Sequence, residues 1–120
     1  MLLFFRISKI IVLGGAGHIG SRIVKELREL NSSVEITIAD KNIGKANEVA
    51  KDVGGNINVI SVDASVEDSV IGILKGYDVA INAIGPFYRF GVPILRAAIR
   101  AGVNFVDIND DYDATSEALK

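Results

Sequence analysis

Apolar residues in this chain fall into short blocks whose period alternates between strand-like and helical. Ile10, Ile11, Val12 and Leu13 form a contiguous aliphatic run, the pattern of a strand buried on both faces. Ile19, Ile23, Leu27 and Leu30 then recur at helical spacing and predict the buried stripe of a first helix. Val34, Ile36 and Ile38 alternate with Glu35 and Thr37 in a second strand that ends at Asp40. Ile43, Ala46, Val49, Ala50 and Val53 predict a second helix, stopped by Gly54 and Gly55. Ile57, Val59, Ile60 and Val62 form a third strand closing at Asp63.

Ser65 followed by Asp68 predicts a capped helix start, with Val66, Val70, Ile73 and Leu74 as its buried stripe and Gly76 at its end. Residues 78–83 form a fourth strand centred on Val79, Ala80 and Ile81, and Gly85-Pro86 breaks it. Val92, Leu95, Ala98 and Ile99 predict a fourth helix with Pro93 in its first turn and Gly102 as its C-terminal cap. Phe105, Val106 and Ile108 form a fifth strand, and residues 109–120 read as an acidic turn and the start of a helix. Five strands alternating with four helices imply an α/β fold with a parallel sheet covered on both faces. Right-handed crossovers favour a doubly wound, three-layer Rossmann-like domain with strand order 3-2-1-4-5.

Composition narrows the class. At 120 residues, 49% hydrophobic and 23% charged, the chain suits one globular domain rather than a disordered segment. Thirteen basic and 15 acidic residues are spread along it without a basic block, so nucleic acid is not an expected partner. The absence of cysteine excludes disulfides, thiol catalysis and zinc–thiolate sites. Residues 1–5 are apolar, but that run is too short to span a membrane and lacks the layout of a signal peptide. No membrane partner and a cytoplasmic location are therefore expected.

The candidate chemistry starts where the first strand ends. Gly15, Gly17 and Gly20 match G-x-G-x-x-G between a strand and a helix, with Asp40 twenty residues further on. In that motif Gly15 permits a tight strand-to-helix turn, Gly17 lets the backbone approach a pyrophosphate, and Gly20 lets the helix pack on the strand. Ala16, His18 and Ile19 complete the turn, whose helix N-terminus would face the phosphates. Asp40 is placed to take the ribose hydroxyls and to favour NAD by repelling a 2′-phosphate; Lys41 beside it weakens that preference, so NADP remains the alternative. Asp63 and Ala64 stand either beside the adenine or at a plain helix start. Asn82, Ala83 and Gly85 belong to a turn placed to run along the nicotinamide half.

His18, the sole histidine, is not expected to be catalytic, because it falls on the phosphate side of the motif and a helix N-terminus disfavours imidazolium. Asp107, Asp110, Asp111 and Asp113 lack EF-hand spacing and read as a solvated loop, so no metal is expected. Tyr88 and Arg89 follow the fourth strand, where a substrate would approach, but no catalytic residue is assigned.

Together, residues 14–20, Asp40, Asp63, Asn82-Ala83-Ile84-Gly85-Pro86-Phe87, Gly91, Val92-Pro93, Ala97-Ala98, Ala101-Gly102-Val103 and Phe105-Val106-Asp107 resemble the N-terminal nucleotide-binding domain of the saccharopine dehydrogenase family. The resemblance runs from about Lys9 to Asp111, and the Asn-Ala-x-Gly-Pro-Phe turn is its more specific part. It implies an NAD(P)-dependent oxidoreductase acting on C–N bonds of amino acids by hydride transfer, with cofactor roles for Gly15, Gly17, Gly20, Asp40, Asp63 and Asn82. It also implies a second domain that supplies the amino-acid-type substrate site. Residues 1–120 then form a single dinucleotide-binding domain, the N-terminal part of a longer oxidoreductase and inactive alone. Residues 14–21 also resemble the opening of extended short-chain dehydrogenases/epimerases, which stays as an alternative. No lysine follows Tyr77, Tyr88 or Tyr112 at that group's Tyr-x-x-x-Lys spacing, but the pair would normally fall beyond residue 120. It is the Gly-Pro-Phe turn and the Phe-Val-Asp ending that favour the saccharopine-type reading. A stand-alone dinucleotide-binding regulatory module and a homodimer stay open as alternatives.

Overall fold

Each aliphatic run becomes a strand and each helical stripe a helix. The computed structural model describes residues 7–85 and 87–108. In chain order these are β1 (Lys9–Leu13), α1 (His18–Leu30), β2 (Glu35–Asp40), α2 (Ile43–Val53), β3 (Ile57–Ser61), α3 (Glu67–Leu74), β4 (Val79–Asn82), α4 (Phe87–Ala101) and β5 (Asn104–Asp107). The five strands form one parallel sheet in the order β3-β2-β1-β4-β5, the doubly wound order expected. The order reverses between β1 and β4, where Leu13 pairs with Asn82.

Side chains alternate across a strand, so each strand feeds two cores. Ile10, Val12, Ile36 and Ile38 pack with Val24 of α1 and Ala46 of α2 on one face. Ile11, Leu13, Ala39 and Ala80 pack with Val70 and Leu74 of α3 and Ile94, Ala97 and Ala98 of α4 on the other. Burial on both faces is why β1 reads as an unbroken apolar run.

Three local expectations need correction. In α1 the buried positions are Gly20 and Val24, while Ile19 is 50% and Leu30 82% exposed. Ile23 and Leu27 of the expected stripe do pack against the core, while its two ends, Ile19 and Leu30, fall outside the contact line that Gly20 and Val24 mark. In α3, Ser65 does not cap the helix: its N–H and hydroxyl both donate to Asp63 Oδ1, Val66 is the N-terminal flanking residue and Val66 is exposed. The aspartate forms a local Asx turn that outcompetes a cap. In α4 the helix starts at Phe87, so Pro93 lies inside it rather than in its first turn. A proline there forfeits one helical hydrogen bond and costs about 3 kcal/mol. Packing of Ile94, Ala97 and Ala98 against the sheet opposes that cost, and Ile99, expected in the stripe, is exposed. Gly102 does cap the helix, at φ +71°, with Val103 N–H donating to Ala98 O across the turn.

Two polar braces hold the edge of the sheet opposite the carboxyl ends. The Arg28 guanidinium donates to the carbonyls of Asn31, Ser32, Val34 and Asn56, which ties the end of α1 to the starts of β2 and β3. Asp78 Oδ2 accepts from the N–H groups of Ser8 (2.8 Å) and Lys9 (2.9 Å) and from the Ser8 hydroxyl. These donors, the Ser8 N–H first, hold its carboxyl below the usual carboxylate range. A carboxylate whose pKa is depressed by folding contributes stability above its unfolded pKa and loses it as pH falls through the folded one. Asp78→Asn is therefore expected to lower Tm at neutral pH, and its gap from the unmodified chain should close below about pH 4. A gap that stays constant from neutral pH to pH 3 would show that the charge on Asp78 is not what holds β1.

Candidate dinucleotide site

The turn between β1 and α1 is shaped by packing as much as by torsion. Gly14 carries the left-handed backbone, at φ +78°, and its N–H donates to Ala39 O. The tight turn expected at Gly15 is thus made one residue earlier. Gly15 instead lies against β2, where a β-carbon would come within 2.7 Å of Ile38 Cγ2. A β-carbon on Gly20 would overlap the Gly14 carbonyl oxygen and come within 2.8 Å of the carbonyl carbon. Gly17 differs: it is exposed, its φ is −74°, and a β-carbon there would meet only Gly14 O, at 3.4 Å. Its outer side is therefore bare backbone, the cradle a phosphate needs. Gly17 flanks α1 with no side chain capping the helix, so the first-turn N–H groups of His18, Ile19 and Gly20 have no intrahelical acceptor.

Asp40 ends β2 beside this turn. Its Oδ2 accepts from Ala16 N–H at 3.0 Å and its Oδ1 from Asn42 N–H at 2.9 Å. The carboxylate thus braces the glycine turn, a role that sequence spacing did not reveal. A carboxylate has about four acceptor positions, so two such bonds leave capacity for ribose hydroxyls.

A crevice of about 390 Å³ opens where the strand order reverses. Gly14, Gly17, Asp40 and Lys41 line one side, Val62 and Ala64 the floor beyond β3, and Ala83, Ile84 and Gly85 the side after β4. Of the residues singled out from sequence, Gly17, Asp40, Lys41, Ala64, Ala83 and Gly85 meet at this crevice. Gly15, Ala16 and Gly20 are buried behind it. His18 borders a neighbouring shallow recess with Ser21 and Lys45, and Ile19 is half-exposed along α1.

Asp63 is exposed and does not line the crevice; its carboxylate is turned onto Ser65, whose hydroxyl and N–H hold its pKa down, with a smaller contribution from Lys41. Asn82 is fully buried, and its side chain is spent on Asp107 and Ile84. Gly14, Val62 and Ile84 line the crevice without having been singled out. Their signals were the doubled glycine, the last apolar residue of the third strand and the variable position of the Asn-Ala-x-Gly turn. Among the described residues no three His, Asp or Glu side chains gather as a metal site, and no helix is long and apolar enough to cross a membrane. Asp110, Asp111 and Asp113 lie outside the described residues, as do the side chains of Tyr88 and Arg89.

A doubly wound parallel sheet, a glycine turn with bare backbone and an acid at the end of β2 define a dinucleotide-binding domain. The family described as saccharopine dehydrogenase NADP binding domain matches residues 10–120, and the chain belongs to it. It is thus an NAD(P)-binding domain. A lipid droplet localized protein of Caenorhabditis elegans is 27% identical over 111 residues, covering 85% of this chain and 26% of that protein. A trans-acting enoyl reductase of Mycobacterium tuberculosis is 24% identical over 105 residues, covering 85% of this chain and 25% of that enzyme. The chain therefore spans about a quarter of the length of the curated relatives it matches. Among solved structures, apo saccharopine dehydrogenase (L-Glu forming) from Saccharomyces cerevisiae superposes with a TM-score of 0.74 at 24% identity, over 92% of this chain and 23% of that one. A short-chain dehydrogenase/reductase from Veillonella parvula in complex with NADP superposes at 0.67 with 14% identity, over 85% and 47% respectively. At these identities the superpositions speak for the fold alone.

Proposed function

We propose that this domain holds NAD(P) across the carboxyl edge of its sheet, for hydride transfer in a longer oxidoreductase that acts on C–N bonds of amino acids. The observation that carries the placement is the crevice at the strand-order reversal, where Gly17, Asp40, Lys41, Ala64, Ala83 and Gly85 converge. The pyrophosphate lies against Gly17 and the first-turn N–H groups of α1, on the turn formed by Gly15, Ala16, His18, Ile19 and Gly20. Asp40 takes the adenosine ribose, with Lys41 beside it. Val62 and Ala64 offer an apolar seat to the adenine, with Asp63 at its margin. Ala83, Ile84 and Gly85 border the nicotinamide half, and Asn82 supports them from below.

Bound NAD(P) supplies the hydride chemistry, and these residues bind and orient it. The substrate, an amino acid in this reading, meets the nicotinamide on a surface supplied by a second domain. The names of the mycobacterial relatives favour one second reading, in which the bond reduced is C=C rather than C=N.

Titration of the chain with NADH and NADPH, read by nicotinamide fluorescence, tests the site. Saturable binding with NADH preferred is expected, because the Asp40 carboxylate opposes a 2′-phosphate. Absence of saturable binding for both would remove the proposed site.

A further inference from the structure

We propose that Asp107 is a positioning residue for the crevice, acting through Asn82 to fix the wall formed by Ala83 and Ile84. This inference rests on the dinucleotide reading of the same crevice.

Asn82 and Asp107 are register partners at the carboxyl ends of β4 and β5. Asn82 Nδ2 donates to Asp107 Oδ1 at 3.2 Å, and Asn82 Oδ1 accepts from Ile84 N–H at 3.0 Å. Ile108 N–H donates to Asn82 O and closes the ladder beyond. A primary amide is nearly symmetric in shape, so packing alone does not choose which end faces which way. Its partners choose. A carboxylate accepts only, and a backbone N–H donates only. With Asp107 on one side and Ile84 on the other, only one orientation of Asn82 makes both bonds. The reversed amide would set oxygen against carboxylate and NH₂ against N–H, in a place with no water, since Asn82 has no exposed surface.

The bond to Ile84 matters because Ile84 itself lines the crevice, as do Ala83 and Gly85 on either side. The Ala83 carbonyl lies so close to Gly14 that a β-carbon there would come within 3.0 Å of it. The loop after β4 is therefore wedged between the glycine turn on one side and the Asn82 amide on the other. Asp107 is half-buried, and that burial raises its pKa against the lowering effect of the Asn82 and Ile108 donors. Its desolvation is what a carboxylate retained only for solubility would not bear.

Reversal of donor and acceptor tests the assignment. Asn82→Asp retains an oxygen able to accept from Ile84 but sets two carboxylates against each other, and the repulsion turns the side chain at 82 away and breaks the bond to Ile84 N–H. It is expected to weaken NADH binding at least tenfold at neutral pH, with recovery as the pair takes up a proton at lower pH. Asn82→Asp combined with Asp107→Asn restores the network in mirror image: the carboxylate at 82 accepts from Ile84 N–H and from the new amide at 107. That double variant is expected to bind within about threefold of the unmodified chain, a rescue for which loss of packing gives no reason.

Hydrogen exchange of the Ile84 amide gives a second readout that needs no ligand: protected in the unmodified chain and the double variant, fast in Asn82→Asp. Should Asn82→Asp fail to fold, Asp107→Leu carries the test, with weakened binding and fast Ile84 exchange expected. The proposal is overturned if Ile84 exchange is the same in all variants, or if the double variant is no better than Asn82→Asp. If the unmodified chain binds neither dinucleotide, the cofactor reading fails, while Ile84 exchange still decides the positioning role.

Discussion

Gly20→Ala is expected to cost the chain its fold at the glycine turn, whereas Gly17→Ala, three residues earlier, should cost it only the dinucleotide. At Gly20 the added methyl group would coincide with the Gly14 carbonyl, which is backbone and cannot rotate away. Relief requires α1 to lift from β1, and Gly20 and Val24 are its two buried positions. Overpacking of this kind costs about 3 kcal/mol, a drop of more than about 10 °C in Tm for a domain of this size.

At Gly17 the same methyl group meets only Gly14 O at 3.4 Å, in backbone that any residue adopts. Stability should change by less than about 0.5 kcal/mol. In the proposed complex, however, that methyl group occupies the space where the pyrophosphate approaches, and NADH affinity should fall at least tenfold, about 1.4 kcal/mol. Thermal melts and NADH titrations on both variants separate the two roles. Equal affinity in Gly17→Ala and the unmodified chain would place the phosphates elsewhere.

Asp40→Ala should have the second largest effect, and it divides into two measurable parts. The structural part is loss of the acceptor for Ala16 N–H and Asn42 N–H, which loosens the glycine turn from β2. Hydrogen bonds to a charged group are worth about 1.5–3 kcal/mol each, so both Tm and affinity for either dinucleotide should fall. The binding part shows in the ratio of the two affinities. The ribose hydroxyls of NADH lose their acceptor, while the 2′-phosphate of NADPH loses a repelling charge and keeps Lys41 nearby. NADH affinity should therefore drop roughly ten- to a hundredfold by the same hydrogen-bond magnitudes, and the gap to NADPH should narrow. A lowered Tm with an unchanged affinity ratio would make Asp40 a brace for the turn and nothing more.

The two aspartates of the carboxyl edge show where reading from sequence reaches its limit. Asp40 was identifiable because its distance from the glycines is fixed by one helix and one strand, both of which the apolar spacing marks. Asp63 stands at the corresponding point after the third strand, and the same reasoning gave it two roles. The structure turns it onto Ser65 and leaves Val62 and Ala64 to line the crevice. A choice between ligand contact and local turn depends on side-chain direction at a strand end, and no periodicity survives there to set it. Asn82 shows the converse. Its place beside the crevice was legible, but its pairing with Asp107 crosses 25 residues and depends on the β4–β5 register.

Helix phase was equally hard to read. Ile19, Leu30 and Ile99 have the spacing of core residues yet are exposed, while Gly20 and Ala97, outside the expected stripes, are buried. Small residues mark close approach of backbone to backbone, and a count of large apolar side chains overlooks them. Pro93 misled for a similar reason: its position at a helix start is a statistical preference, and packing of the following turn overrode it.

Sequence by itself determined the element order, the parallel doubly wound topology and the edge on which the candidate crevice lies. These follow from hydrophobic period, crossover handedness and glycine placement, all of which are local in the chain. Tertiary structure alone decided which glycine bears the left-handed torsion, which face of each helix is buried and which polar groups at the strand ends are spent on bonds within the protein. Apart from the local turn of Asp63 onto Ser65, those outcomes are set by atoms brought within about 3 Å of one another by the packing of strand, turn and helix, and that proximity exists only once the sheet has formed.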